Sequence, residues 1–337
     1  SIFGVSADSD LIHLNMLSMK DKLSRSIELL SKIYSDPLFS DKDFYREKNK
    51  LQTKIVRSYD DPSYIASAGF KKQIYNSSQY AHPIIGNSST VDSISSGEVL
   101  QFYKDHISFN NSHLIVAGSI SRDELKSELE NHFSKMNNKS DANLNVQSPA
   151  KTAHKLFFIN KDEAAQSEIR VGHISNCRKD PDYFSKLILN SILGGQFSSR
   201  LNLNLREDKG FTYGVTSGFY YNESFGHFQI ATSVQSENTD KAIIEINNEI
   251  SGIKNNITDE EIDFAKSYLI KRFPAMFETY SQIANNLSTI IHFSLENDYF
   301  DNYINNIEGC SKDEISRAAQ DRILKEELVY LVVGNRK

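Results

Sequence analysis

Residues 22–33 place Leu23, Ile27, Leu30 and Ile33 along one face of a helix, with polar residues elsewhere. Shifted by 217 positions, Ile27, Leu29 and Ile33 fall on Ile244, Ile246 and Ile250, so the apolar pattern recurs late in the chain. A longer segment repeats as well. Ser95–Gly118 lies without gaps on Ser311–Gly334, with Ser95/Ser311, Glu98/Glu314, Asp105/Asp321, Ile107/Ile323, Val116/Val332 and Gly118/Gly334 identical. Each copy opens with Ser-x-x-Glu, the spacing of a capping box that satisfies free amides at a helix start. Each closes on an apolar, β-rich run ending in Gly, which predicts a buried strand. The same capping spacing recurs at Ser40 with Asp43 and at Thr258 with Glu261.

This recurrence at nearly one offset predicts two copies of one unit. Between them, residues 137–154 are polar, almost free of large apolar side chains, and contain Pro149, as an interdomain linker would be. The expected division is a first domain over 1–136, a linker over 137–154 and a second domain over 155–337. Subtracting the offset from Lys155 puts the start of the first copy about 60 residues before Ser1. The first domain is therefore expected to lack its opening strands and first helix.

In the second copy, Lys155–Asn160 and Ser167–His173 read as strands, and Tyr183–Leu193 as a helix stopped by Gly194 and Gly195. A helical stretch is expected over Phe197–Leu205. Paired strands follow at Phe211–Tyr221 and Phe225–Val234. Helices are expected at about Asp240–Ile253, Asp259–Arg272, Phe277–Phe293 and Glu296–Asn306. Strands, then helices, then a last strand predict an α+β fold, each domain a mainly antiparallel sheet with helices on one face.

Composition narrows the function. A net charge of −6 with no Lys/Arg cluster argues against a nucleic-acid binder held by phosphate contacts. No apolar run approaches the ~18 residues needed to cross a bilayer, so no membrane-spanning helix is expected. Cys177 and Cys310 match no disulfide framework or zinc-finger spacing. No two of the nine histidines are spaced i, i+4, and no P-loop, G-x-S-x-G or G-x-G-x-x-G motif is present. The candidate chemistry is in Ser198–Gly214. There Arg206 ends an amphipathic helix, Gly210 turns the chain, and Tyr213 follows on an expected strand. A guanidinium and a phenol are both good donors to a peptide carbonyl or a developing oxyanion.

Leu193-Gly194-Gly195, Ser199-Arg200-Leu201, Leu205-Arg206-Glu207 and Gly210-Phe211-x-Tyr213 together resemble the second domain of the insulinase-like (pitrilysin-family) zinc metallopeptidases. The first copy agrees through Pro37-x-Phe39, Asp61-Pro62, His82-Pro83-x-x-Gly86 and the run ending at Gly118. The resemblance covers nearly the whole chain. It implies paired α+β domains that close with a second half around a peptide. It also implies a zinc ion held by H-x-x-E-H and a later Glu, and an Arg and a Tyr that grip substrate from the opposite half. By motif match these are Arg206 and Tyr213.

Two departures qualify the resemblance. H-x-x-E-H is absent from the sequence. With Glu47 and Asp61-Pro62 as anchors, the third ligand position holds Lys54, whose ammonium has no lone pair for zinc. The combination resembles the non-catalytic partner of two-subunit members. That implies no catalytic residue and no metal in this chain, zinc in a homologous catalytic partner, and a peptide substrate. Two-subunit bacterial members are commonly exported, which points to the periplasm. Two alternatives share these features: a peptidase in its own right whose zinc helix lies outside this sequence, and a structural subunit that keeps only the fold.

Overall fold

The computed structural model describes residues 1–134 and 145–336. In chain order the elements are strands β1 (Ile2–Ala7) and β2 (Ile12–Leu17) and helices α1 (Leu23–Ser35), α2 (Asp41–Ser58), α3 (Pro62–Tyr75), α4 (Ser88–Ser93), α5 (Ser96–His106) and α6 (Arg122–Phe133). Then come β3 (Lys155–Asn160), β4 (Gln166–Ser175), α7 (Tyr183–Leu193), β5 (Val215–Tyr221), β6 (Gly226–Gln235), α8 (Thr239–Asn255), α9 (Asp259–Arg272), α10 (Tyr280–His292), α11 (Tyr303–Gly309), α12 (Lys312–Arg322) and β7 (Val329–Gly334). A hairpin followed by five helices thus occurs twice, β1 to α5 and β5 to α12. The capping boxes expected at Ser95, Thr258 and Ser311 are formed.

Two compact units divide the described residues: 1–57 with 83–145, and 58–82 with 146–337. In the first, β1 and β2 form an antiparallel two-stranded sheet. The strand expected to end at Gly118 does not form. Residues 112–118 have no ladder partner among the described residues, and Leu114 and Val116 are exposed. An apolar run becomes a strand only where neighbours accept its backbone hydrogen bonds. Its counterpart β7 has neighbours on both sides.

In the second unit the sheet order is β3-β7-β4-β6-β5, antiparallel except for the parallel pair of β3 with β7. One face packs on α7, α8, α9 and α12 through Ile169, Val171, Leu189, Phe228, Ile246, Ala265 and Ala319. The expectation of helices on one face only does not hold for this sheet, because α3 covers the other. β7 reads Val-Tyr-Leu-Val-Val-Gly and is buried throughout. Tyr330 and Val332 face the larger core, while Val329, Leu331 and Val333 face Ala66, Phe70 and Ile74 of α3. A strand apolar at both parities needs cover on both sides.

α3 sits close to the sheet because it carries small residues where it meets β7. A Cβ on Gly69 would stand 2.9 Å from Leu331 Cδ1. Buried Arg170 of β4 also ties the helix down, with its Nη2 2.8 Å from Ser63 Oγ and its Nη1 paired with Glu168 at 2.9 Å. The expected linker falls partly on residues 135–144, outside the described residues. Its later part is docked: Asn76 donates to Ala150 O at 2.8 Å and accepts from Ala150 N at 3.1 Å.

Candidate functional site

The site begins where α7 stops. Gly194 O accepts from Ser217 N of β5 at 3.0 Å. A Cβ on Gly194 would lie 2.6 Å from Ser217 Oγ, and one on Gly195 would lie 2.6 Å from Asn190 Nδ2. These glycines therefore do more than end a helix: they let the chain pass against β5. Arg200 then forms a two-pronged pair with Glu261 of α9, both contacts at 2.6 Å, and donates to Asn256 O at 2.7 Å. Burial pushes the Glu261 carboxyl up, but Arg200 and the Thr258 amide outweigh it and hold it below the usual carboxylate range. Arg200 is thus a structural tie, and Leu201 and Leu205 belong to the core.

The helical stretch expected over Phe197–Leu205 is displaced and of another kind. A π-helix runs over Asn202–Asp208. Such helices are rare and concentrate at functional sites. Its anchor is the buried Asn202, whose Oδ1 accepts from Val215 N at 3.2 Å and whose Nδ2 donates to Val215 O at 2.8 Å. The C-terminal turn closes at Gly210, φ +64°, with Phe211 N donating to Leu205 O at 2.8 Å.

Arg206 projects from this π-helix. Its Cζ lies 4.1 Å from the Phe197 ring centroid and its Nε 3.6 Å from Glu207 Oε1. Tyr213, expected on a strand, stands instead in the loop before β5 and is 92% exposed. Thr212 explains the difference. Its hydroxyl accepts from Gly214 N at 3.1 Å and lies 2.7 Å from Ser233 O and 3.0 Å from the Thr232 hydroxyl. This local capping competes with the ladder, so pairing with β6 starts only at Val215. The Tyr213 hydroxyl has no hydrogen-bond partner among the described residues, and no hydrogen bond or cation–π contact joins it to Arg206. Both present donors to solvent from a pinned frame.

No sequence motif marks Asn202 or Thr212. The available signal was an Asn between Leu201 and Leu205 on a core-facing stretch, and a Thr directly before the exposed Tyr.

Lys54 lies on α2 and is exposed. Glu47, on the same helix, pairs with Arg46 at 3.0 Å and with Lys50 at 2.9 Å. Among the described residues no three His, Cys, Asp or Glu side chains converge as a metal-binding group. The described residues do not fit a zinc ion. No helix among them is long and apolar enough to cross a membrane.

This is an α+β protein whose candidate site consists of an exposed phenol and a half-buried guanidinium rather than metal ligands. The chain belongs to the peptidase M16 family: residues 93–269 match the description "Peptidase M16 inactive domain". An uncharacterized zinc protease of Rickettsia bellii is 25% identical over 255 residues, which is 74% of this chain and 60% of that protein. A non-peptidase homolog, YmxG, of Helicobacter pylori is 20% identical over 99% of this chain and 77% of its own length. The chain thus spans about 60% of the length of the zinc-protease relatives it matches. Among solved structures, a peptidase M16 inactive domain from Pseudomonas fluorescens superposes with a TM-score of 0.90 at 22% identity, covering 100% of this chain and 81% of that one.

Proposed function

We propose that this chain is the non-catalytic, substrate-binding subunit of a two-subunit M16 zinc peptidase. Its two sequence repeats, 1–136 and 155–337 about the 137–154 linker, form paired domains of one half-enzyme. Arg206 and Tyr213 reach the zinc site of a homologous catalytic partner and donate to the peptide carbonyl where negative charge develops. Donors aimed at that oxygen stabilise the transition state more than the ground state. The observation that carries this reading is the exposure of Tyr213, at 92%, on a loop fixed by Thr212. A structural Tyr would be packed. Lys54 at the ligand position supports the assignment of zinc to the partner.

The test measures metal content and cleavage of a fluorogenic peptide, first for this chain and then for the assembly isolated through a tag on it. The expected result is no stoichiometric zinc and no cleavage for the chain alone, with cleavage in the assembly. Arg206→Ala in the assembly is expected to lower kcat/KM about 10²-fold. One zinc per chain with chelator-sensitive cleavage would make the chain a peptidase in its own right. An assembly indifferent to Arg206→Ala would favour a structural role.

A further inference from the structure

Phe197 lies in the turn between Gly195 and the π-helix and is 63% exposed. Large aromatic side chains in that position normally find cover. This ring packs against no other ring among the described residues. Its partner is Arg206, whose Cζ stands 4.1 Å from its centroid. The guanidinium has three sides to account for. Its Cζ lies over the ring, and its Nε stands 3.6 Å from Glu207 Oε1. Neither Nη has a hydrogen-bond partner among the described residues, which leaves that edge for a ligand.

A planar guanidinium stacked on an aromatic face keeps its in-plane donors available, which a lysine ammonium could not do in the same way. Stacking also pre-orders a long side chain that would otherwise lose rotamer freedom on binding.

We infer that Phe197 is a positioning residue: it holds the Arg206 guanidinium flat, so that the Nη edge meets a main-chain carbonyl oxygen of the bound peptide. This rests on the proposed role of Arg206 in peptide binding. Phe197 itself touches no reacting atom.

A double-mutant cycle tests it in the assembled peptidase, isolated through a tag on this chain and assayed with a quenched-fluorescent peptide. Phe197→Leu is expected to lower kcat/KM about five-fold, the size of an exposed cation–π contact. Phe197→Tyr keeps the stack and is expected to retain activity within about two-fold. Phe197→Leu combined with Arg206→Ala is expected to be no worse than Arg206→Ala alone, because the ring acts through the guanidinium. Melting temperatures of all variants should agree within a few degrees, since Phe197 is exposed and Arg206 is only half-buried. Independent, multiplying losses would overturn the inference, as would an unchanged rate for Phe197→Leu beside a lowered rate for Arg206→Ala. An unchanged rate for Arg206→Ala removes the peptide-binding reading itself, and this inference with it. In the chain alone, the Arg206 Nε–H resonance should be shifted upfield by the ring and return toward its ordinary position in Phe197→Leu. A resonance that does not move contradicts the stack.

Discussion

Asn202 and Val215 form a closed pair: one carboxamide satisfies both the N–H and the C=O of a single buried residue, at 3.2 and 2.8 Å. The pair fixes the first residue of β5 against the π-helix, and so sets the span of the loop that carries Tyr213. Asn202→Leu removes both bonds and leaves the Val215 backbone unpaired inside the core. At about 1–3 kcal/mol per unsatisfied buried group, the expected loss of stability is at least 2 kcal/mol. Urea unfolding with an unchanged m-value measures it, and a loss under 0.5 kcal/mol would show that water replaces the clamp.

Gly69 tests the docking of α3. With Leu331 Cδ1 2.9 Å and Ile159 Cδ1 3.4 Å from where a Cβ would sit, Gly69→Val forces these packed side chains, or the helix, to shift. An overpacked contact of this kind costs about 1–3 kcal/mol. The melting temperature should fall by several degrees. A rise would mean that the glycine's helix-breaking tendency outweighs its fit.

His227 predicts an acid-sensitive sheet. It is buried on the α3 side of β6, with Nδ1 2.9 Å from the Tyr75 hydroxyl. Burial, then the charges of Lys71 and His173, lower its pKa from 6.5 to about 3. The folded protein therefore keeps it neutral while the unfolded chain takes up a proton. Its contribution is complete above pH 6.5 and is lost as pH falls toward 3. Between pH 7 and pH 4 the loss is on the order of 3 kcal/mol. His227→Asn keeps an acceptor for Tyr75 without the titration, and its unfolding free energy should depend less steeply on pH over that range. Equal slopes for the two proteins would assign the acid response to other groups.

Tyr213→Phe separates function from folding. The side chain is almost wholly exposed, so the melting temperature should stay within about a degree or two. Loss of the phenol donor is expected to slow cleavage by the assembly at least ten-fold. A normal rate would leave Arg206 as the sole donor of the pair.

The sequence made some of this legible and concealed the rest for physical reasons. Lys155–Asn160, Tyr183–Leu193 and Asp259–Arg272 form with the limits expected. Each combines a strong period with a clear stop or cap. The α+β class follows from the same signals. The aromatic and β-branched residues of Phe211–Tyr221 predict a strand that includes Tyr213. That pattern does not register Thr212 folding its hydroxyl back onto Gly214. The second cover on the sheet was hidden differently. Alternate residues of β7 announce two apolar faces, but nothing in its own sequence says that the far face is met by Phe70. Nor does helical periodicity distinguish a π-helix over Asn202–Asp208 from ordinary turns. Motif spacing points to Arg206 and Tyr213. Their frame, Asn202 and Thr212, needed three dimensions.

Phe70 and Leu331 share one buried cluster although some 260 positions of chain separate them, and this separation sets the order in which its parts are made. A ribosome adding about 5–20 residues per second delivers α3 long before its strand, by roughly 13–50 seconds. Until then Ala66, Phe70 and Ile74 have no sheet to cover. A fragment cut to begin after the linker would emerge with Val329, Leu331 and Val333 bare, as a sheet inclined to self-associate rather than as an independent domain.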